Sequence, residues 1–142
     1  ARFVLCSIEA QHQTREIYSD LWSRDSSNKY IWTIEHIFPE GKNIPAKWVD
    51  MIADGDAERA KELQKLYVHT LGNLTITGYN SNLSNKSYVE KRDLINEDGL
   101  YIGYKNNLNL NKDLAILDSW TIKNIKDRTD KLINIILEQF RI

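Results

Sequence analysis

One cysteine, Cys6, stands among the 142 residues; it cannot close an internal disulfide or build a cysteine-based zinc site, and fits a reducing cytoplasm. No apolar run approaches the roughly 20 residues that a helix needs to span a bilayer, and no charged-apolar-small leader opens the chain. A soluble protein with no membrane partner is expected. Excess charge is missing as well: 19 basic residues face 20 acidic ones. Without a global field, attraction to a polyanion has to come from a local patch and a metal. Two prolines and six glycines are all that break the backbone pattern, and no linker or internal repeat divides it. The length suits one domain with a core of its own. Because Ala1 leads straight into Phe3-Val4-Leu5-Cys6-Ser7-Ile8, the chain is expected to be the C-terminal fragment of a longer protein.

What is present reads as an α+β domain, mostly helical, around a short two-stranded hairpin. Residues 2–11 are expected to be helical, with Phe3, Val4, Leu5 and Ile8 needing a surface to pack on. Ile17, Leu21 and Trp22 suggest a short second turn, and 24–29 a polar loop. Tyr30 to Ile34 is β-branched and aromatic, hence a strand that Pro39 stops soon after His36. A helical insertion is expected over about 44–70. Its main helix, Ala57 to about Tyr67, is capped by Asp56, has Ala60, Leu63, Leu66 and Tyr67 on its inner side, and Gly72 as a plausible stop. Residues 73–77 alternate as a second strand, Gly78 turns it, and a helix is expected over about 86–95, so the hairpin and helix occupy about 30–39 and 72–95. Residues 100–113 are asparagine-rich and carry no assignment. From Thr121 to about residue 140, Ile122, Ile125, Thr129, Leu132, Ile136 and Phe140 recur at three and four, giving a long amphipathic helix.

A histidine ending one strand, with asparagines on the next strand and near the following helix, suits phosphodiester cleavage. A water attacking phosphorus must lose a proton at neutral pH, and histidine has the fitting pKa; His36 is the candidate base. The charge that builds on the phosphate calls for a hard divalent cation, which prefers carboxylate and amide oxygens; Glu35 and Asn82 are the candidate ligands. Asn73 is expected to hydrogen-bond across the hairpin and hold the backbone near His36. Lys86, Lys91 and Arg92 are expected to meet neighbouring DNA phosphates. His69 and Asn85 are open between bracing the site and touching substrate. Each has a plainer use: asparagines cap helices and accept left-handed backbone, and a lone histidine after Ile34-Glu35 is more often structural than catalytic. Trp32, Trp48 and Trp120 are expected in the core, and His12 on the surface.

The ordered motifs tip that balance. Ile34-Glu35-His36-Ile37-Phe38-Pro39, then His69-Thr70-Leu71-Gly72-Asn73-Leu74-Thr75, then Asn82-Leu83-Ser84-Asn85-Lys86-Ser87-Tyr88 with Lys91, resemble the HNH (His-Asn-His) endonuclease family. More narrowly they resemble the C-terminal domain of GmrSD-type modification-dependent restriction proteins, and Ser119-Trp120-Thr121 with Ile122, Ile125, Arg128 and Leu132 resembles that domain's tail. The resemblance implies a ββα-metal fold, His36 as general base, Asn73 as the middle asparagine, and Asn82 where histidine is usual. It further implies Mg²⁺ or Mn²⁺, a DNA substrate, and an N-terminal nucleotide-hydrolysing domain of the same protein, in a bacterial or archaeal defence system against phage. Glu35 stands where aspartate is common. The 36 residues at 37–72 between His36 and Asn73 form an insertion expected to pack over the site or contact substrate. A nuclease-like module without activity, binding nucleic acid or docking a partner, is the alternative.

Overall fold

The computed structural model describes residues 1–13 and 20–141. Ile17, part of the expected second turn, lies outside them. Seven α-helices and a two-stranded antiparallel sheet make up the described residues, an α+β arrangement.

Helix α1, Arg2–Ala10, buries Leu5, Cys6 and Ile8. Phe3, expected to pack inward, is instead 61% exposed, with its ring 6.2 Å from that of Phe140 near the far end of the chain. Buried Glu9 accepts the backbone N–H groups of Asn109 (3.0 Å) and Leu110 (2.8 Å), so α1 fastens a turn about a hundred residues away. Strand β1 is Thr33–His36, later than the expected 30–34: Tyr30 forms only an isolated bridge with Arg24. It pairs with β2, Leu74–Thr77, in the register Thr33 to Thr77 and His36 to Leu74. All four β2 residues are buried, so the strand is covered on both faces.

The insertion holds α2, Ala46–Ala53, entered from Pro45, and α3, Ala57–Tyr67, whose cap Asp56 accepts the Arg59 N–H at 3.0 Å. Leu66, expected on the inner side of α3, is exposed. Gly72 does not stop α3, which ends at Tyr67. It sits in a one-turn 3₁₀ segment, Leu71–Asn73, against the last helix, where an added Cβ would lie 2.1 Å from the Ile125 carbonyl and 2.3 Å from Thr129 Oγ1. No side chain fits there.

After β2 comes a one-turn helix, α4 over Asn80–Leu83, and the expected 86–95 helix is the shorter α5 over Tyr88–Asp93. Ser84, at φ 36°, breaks the path between them, and Ser87 caps α5 by accepting the Glu90 N–H. The unassigned asparagine-rich stretch holds a 3₁₀ turn and α6, Lys112–Ala115. Helix α7, Ile122–Gln139, starts at a capping box between Thr121 and Asn124. Arg128, buried on α7, donates to the carbonyls of Gly72 (2.9 Å), Leu74 (2.6 Å) and Leu110 (3.2 Å). It ties the tail to the start of β2.

Two apolar clusters flank the sheet. One joins Leu5, Ile8, Leu74, Ile76 and Leu132; the other gathers Phe38, Trp48, Tyr88, Tyr104 and Trp120 just beyond the end of β1. Trp48 and Trp120 are core residues as expected, and Trp32 is packed at the edge of the first cluster. Tyr88 and Trp120 stack with ring centroids 5.8 Å apart and planes 9° from parallel. Among the described residues no helix is long and apolar enough to cross a membrane.

Candidate active site

β1 ends at His36, and the backbone that follows is held by Asn73. The Asn73 carbonyl accepts the Ile37 N–H at 2.9 Å. Its buried side chain does more: Oδ1 accepts from the Phe38 N–H (2.8 Å) and Trp120 Nε1 (3.0 Å), and Nδ2 donates to the carbonyls of Phe38 (3.0 Å) and Val68 (2.9 Å). All four hydrogen-bonding sites of the amide are used. The 3₁₀ turn before β2 thus carries an amide that fixes the chain between His36 and Pro39.

From below, Lys91 grips the same segment. Its ammonium donates to the carbonyls of His36 and Ile37, each at 3.0 Å, and to Glu35 Oε1 at 3.2 Å. Three donors meet three oxygens. Lys91 was expected on a phosphate-facing surface, but it has no exposure at all: α5 is short and turns this side chain inward beneath β1. Arg92 is also taken up, by Asp93 (2.8 Å), Asp118 (2.8 Å) and the Leu117 carbonyl (2.9 Å). Of the three expected phosphate contacts only Lys86 is exposed.

Glu35, next to His36 in sequence, points to the other face of β1 and is 2% exposed. Its Oε1 faces Lys91, while its buried Oε2 has no hydrogen-bond partner; Tyr104 lies beside the carboxylate without reaching hydrogen-bond geometry. Burial pushes the Glu35 carboxyl up to about 7, against the pull of Lys91, and burial likewise draws Lys91 down. Both partners are driven toward neutrality because the desolvation of each charge outweighs their attraction.

His36 itself is half-buried at the edge of a cleft of about 440 Å³ that Glu40, Asn80, Ser81, Ser84 and Asn85 also line. Its Nε2 lies 3.1 Å from His69 Nδ1, the rings edge to face, and 3.7 Å from Glu40 Oε2. Burial holds the His36 pKa below the usual 6.5, with Glu40 opposing and His69 and Lys91 adding to the depression. Neutral imidazole, able to accept a proton, is therefore favoured at neutral pH. Asn80 donates from Nδ2 to the Ile34 carbonyl at 2.7 Å and so pins α4 to β1 beside the cleft. Asn82 is exposed and lines an adjoining cleft of about 480 Å³ with Lys86, and Asn85 borders both. Sequence alone does not single out Glu40, four residues past His36 across the Pro39 turn, or Asn80. Glu40 carries no motif of its own, and only the folded turn brings it to the imidazole.

With this geometry in hand, comparison with protein families is decisive. A sequence model of the C-terminal domain of GmrSD restriction endonucleases matches residues 1–135. The chain belongs to this family. The GmrSD C-terminal domain is a restriction-endonuclease-type domain, and the match takes in the His36, His69, Asn73 and Lys91 stretches together with most of α7. Neither the curated proteins nor the solved structures compared with the chain contain a match.

Proposed function

We propose that this GmrSD C-terminal domain is a metal-dependent DNA endonuclease of the ββα-metal type, with β1, β2 and the broken helix α4–α5 as its frame and His36 as general base. The observation that carries the reading is a half-buried imidazole at a cleft edge, on a backbone clamped by Asn73 and Lys91, with burial holding its pKa down. If His69 donates from Nδ1, His36 Nε2 is the acceptor, the tautomer that a base requires. Asn73 and Lys91 act as positioning residues, and Glu35 supports Lys91.

The donor set suits a hard cation. Glu40 brings a carboxylate to the cleft and Asn80 and Asn85 bring side-chain amides, the oxygen types that Mg²⁺ and Mn²⁺ take. Buried Glu35 offers an incoming ion no exposed oxygen, and Asn82 would have to act from the adjoining cleft. A bound Mg²⁺ or Mn²⁺ supplies charge stabilisation for the phosphate and its leaving oxygen. Lys86 meets a flanking phosphate. In the longer protein a nucleotide-hydrolysing N-terminal domain supplies recognition and control, within bacterial or archaeal defence against phage.

The test is plasmid nicking in Mn²⁺ by the wild type and by His36→Ala. Losing the base lowers the rate by about 10²- to 10⁴-fold; an unchanged rate removes the reading. A second reading, a nuclease-like module that binds nucleic acid or docks a partner without cutting, is favoured by the engagement of Lys91 and Arg92 with protein acids, which takes two expected phosphate contacts away from the cleft. Divalent-ion titration separates the two: nicking that rises with metal supports the enzyme, and DNA binding without metal or cleavage supports the module.

A further inference from the structure

We propose that His36, Glu40 and His69 form an inhibitory site for a zinc-class divalent ion, which closes the nuclease by occupying the nitrogen that would take the proton. The inference rests on the reading of His36 as base and adds to it a ligand of different chemistry. One ring nitrogen from each histidine and one Glu40 oxygen lie within 4.8 Å of one another, the one such group of three metal-binding side chains among the described residues. The separations suit a small ion. Two nitrogens bound to one tetrahedral zinc at their usual bond lengths lie about 3.3 Å apart. His36 Nε2 is 3.1 Å from His69 Nδ1 and 3.7 Å from Glu40 Oε2, and the third separation is within 4.8 Å, so rotations of the Glu40 and His69 side chains bring the set onto one ion.

Donor chemistry separates this ion from the catalytic one. Mg²⁺ demands oxygen ligands in octahedral array, whereas two imidazoles and a carboxylate form a zinc-binding set that leaves a fourth position for water. The site forms without losing a proton from the protein. If the hydrogen between the two rings resides on His69 Nδ1, it shifts to His69 Nε2, and each nitrogen facing the ion then offers a lone pair. Zinc held there withdraws both the His36 lone pair and the Glu40 carboxylate from the cleft, so Mg²⁺ cannot restore the lost base.

The whole 142-residue chain is titrated with Zn²⁺ by calorimetry, and with Co²⁺ as a spectroscopic stand-in whose visible bands distinguish tetrahedral from octahedral ligation. The expected result is one ion per chain with intense tetrahedral Co²⁺ bands. His69→Ala and Glu40→Gln should each weaken Zn²⁺ binding by at least about tenfold, and His12→Ala, an exposed imidazole outside the group, should leave it unchanged. Nicking by the wild type in saturating Mg²⁺ should fall to half at the Zn²⁺ concentration that half-fills the site. Equal Zn²⁺ affinity in wild type and His69→Ala, a pale octahedral Co²⁺ spectrum, or acceleration of nicking by Zn²⁺ overturns the proposal. A chain that never nicks with any metal overturns the nuclease reading instead, and the binding titration still decides the metal site.

Discussion

Glu35 and His36 are neighbours on one strand and occupy different media. On the face of β1 that carries His36, an open cleft places an exposed carboxylate and a second imidazole within 4 Å of Nε2. On the face that carries Glu35, a carboxylate, a lysine and a tyrosine hydroxyl are sealed from solvent together. The dry side fixes where the backbone runs, and the wet side retains the freedom to bind and exchange a proton. This division makes different losses measurable: changes below the strand should register as stability, and changes above it as rate or binding.

The largest effect is expected from Asn73→Ala on the dry side. It strands the Phe38 N–H, the Trp120 indole N–H and the carbonyls of Phe38 and Val68 in a buried setting. At roughly 1–3 kcal/mol for each group left unpaired, the loss is about 4 kcal/mol or more, a large part of a domain's stability. Denaturant unfolding measures it. Asn73→Asp keeps the acceptor for both N–H groups but turns an oxygen toward the Phe38 and Val68 carbonyls, so it should not rescue the loss; a loss under about 1 kcal/mol in the alanine variant would show that the amide does not hold the site.

Lys91→Met comes next. Breaking a buried pair by removing one partner costs about 3–5 kcal/mol. The low end is expected because Glu35, already held up to about 7 by burial, takes a proton when its partner goes. Adding Glu35→Gln should then cost little more, and a double-mutant cycle reads the coupling. Full additivity of the two changes would mean that the pair is not coupled. Nicking should drop as well, since the His36 and Ile37 carbonyls lose their clamp.

On the wet side, pH is the lever. Burial lowers the His36 pKa, so the base is deprotonated at a lower pH than a free imidazole. Single-turnover nicking should rise with pH along an acid limb centred below the ordinary 6.5. The Glu40 carboxylate raises this pKa, so Glu40→Gln should move the limb to still lower pH, whatever it does to the plateau. A limb above 6.5 in the wild type would contradict a base buried by its own strand.

Much of the fold could be read from local pattern, because the signals were local. Asp56 ahead of a periodic run marks α3, and the three-and-four spacing after Thr121 marks α7. The path of the chain near His36 was legible through Asn73, whose motif places it beside the end of β1. What stayed hidden depended on tertiary placement. Lys91 and Arg92 read as a charged helical face, yet whether such a face looks outward is decided by how far α5 runs and what covers it. Arg128 sits at a core position of α7 between apolar neighbours, and only the carbonyls of Gly72 and Leu74 explain it. Glu40 reaches His36 across a turn, and sequence spacing says nothing about contacts made there. For Glu35, an acid before a catalytic histidine reads as a ligand, but strand alternation sends it to the opposite face.

The smallest effect sharpens the comparison at its edge. Lys86 is exposed beside the cleft that Asn82 lines, whereas Arg92, six residues on, is locked between Asp93 and Asp118. A lysine that meets one phosphate releases about one counterion, so Lys86→Ala should weaken DNA binding several-fold near physiological salt and reduce the salt slope by about 1, equally for any DNA sequence. Arg92→Ala should leave that slope unaltered and act on stability instead, because its charge is already spent on protein acids. Binding measured across a salt series decides between them. If the slope falls for Arg92→Ala and not for Lys86→Ala, DNA lies along the α5 end and the Asp93 and Asp118 pairs open to receive it, which would turn the dry support of the strand into part of the binding face.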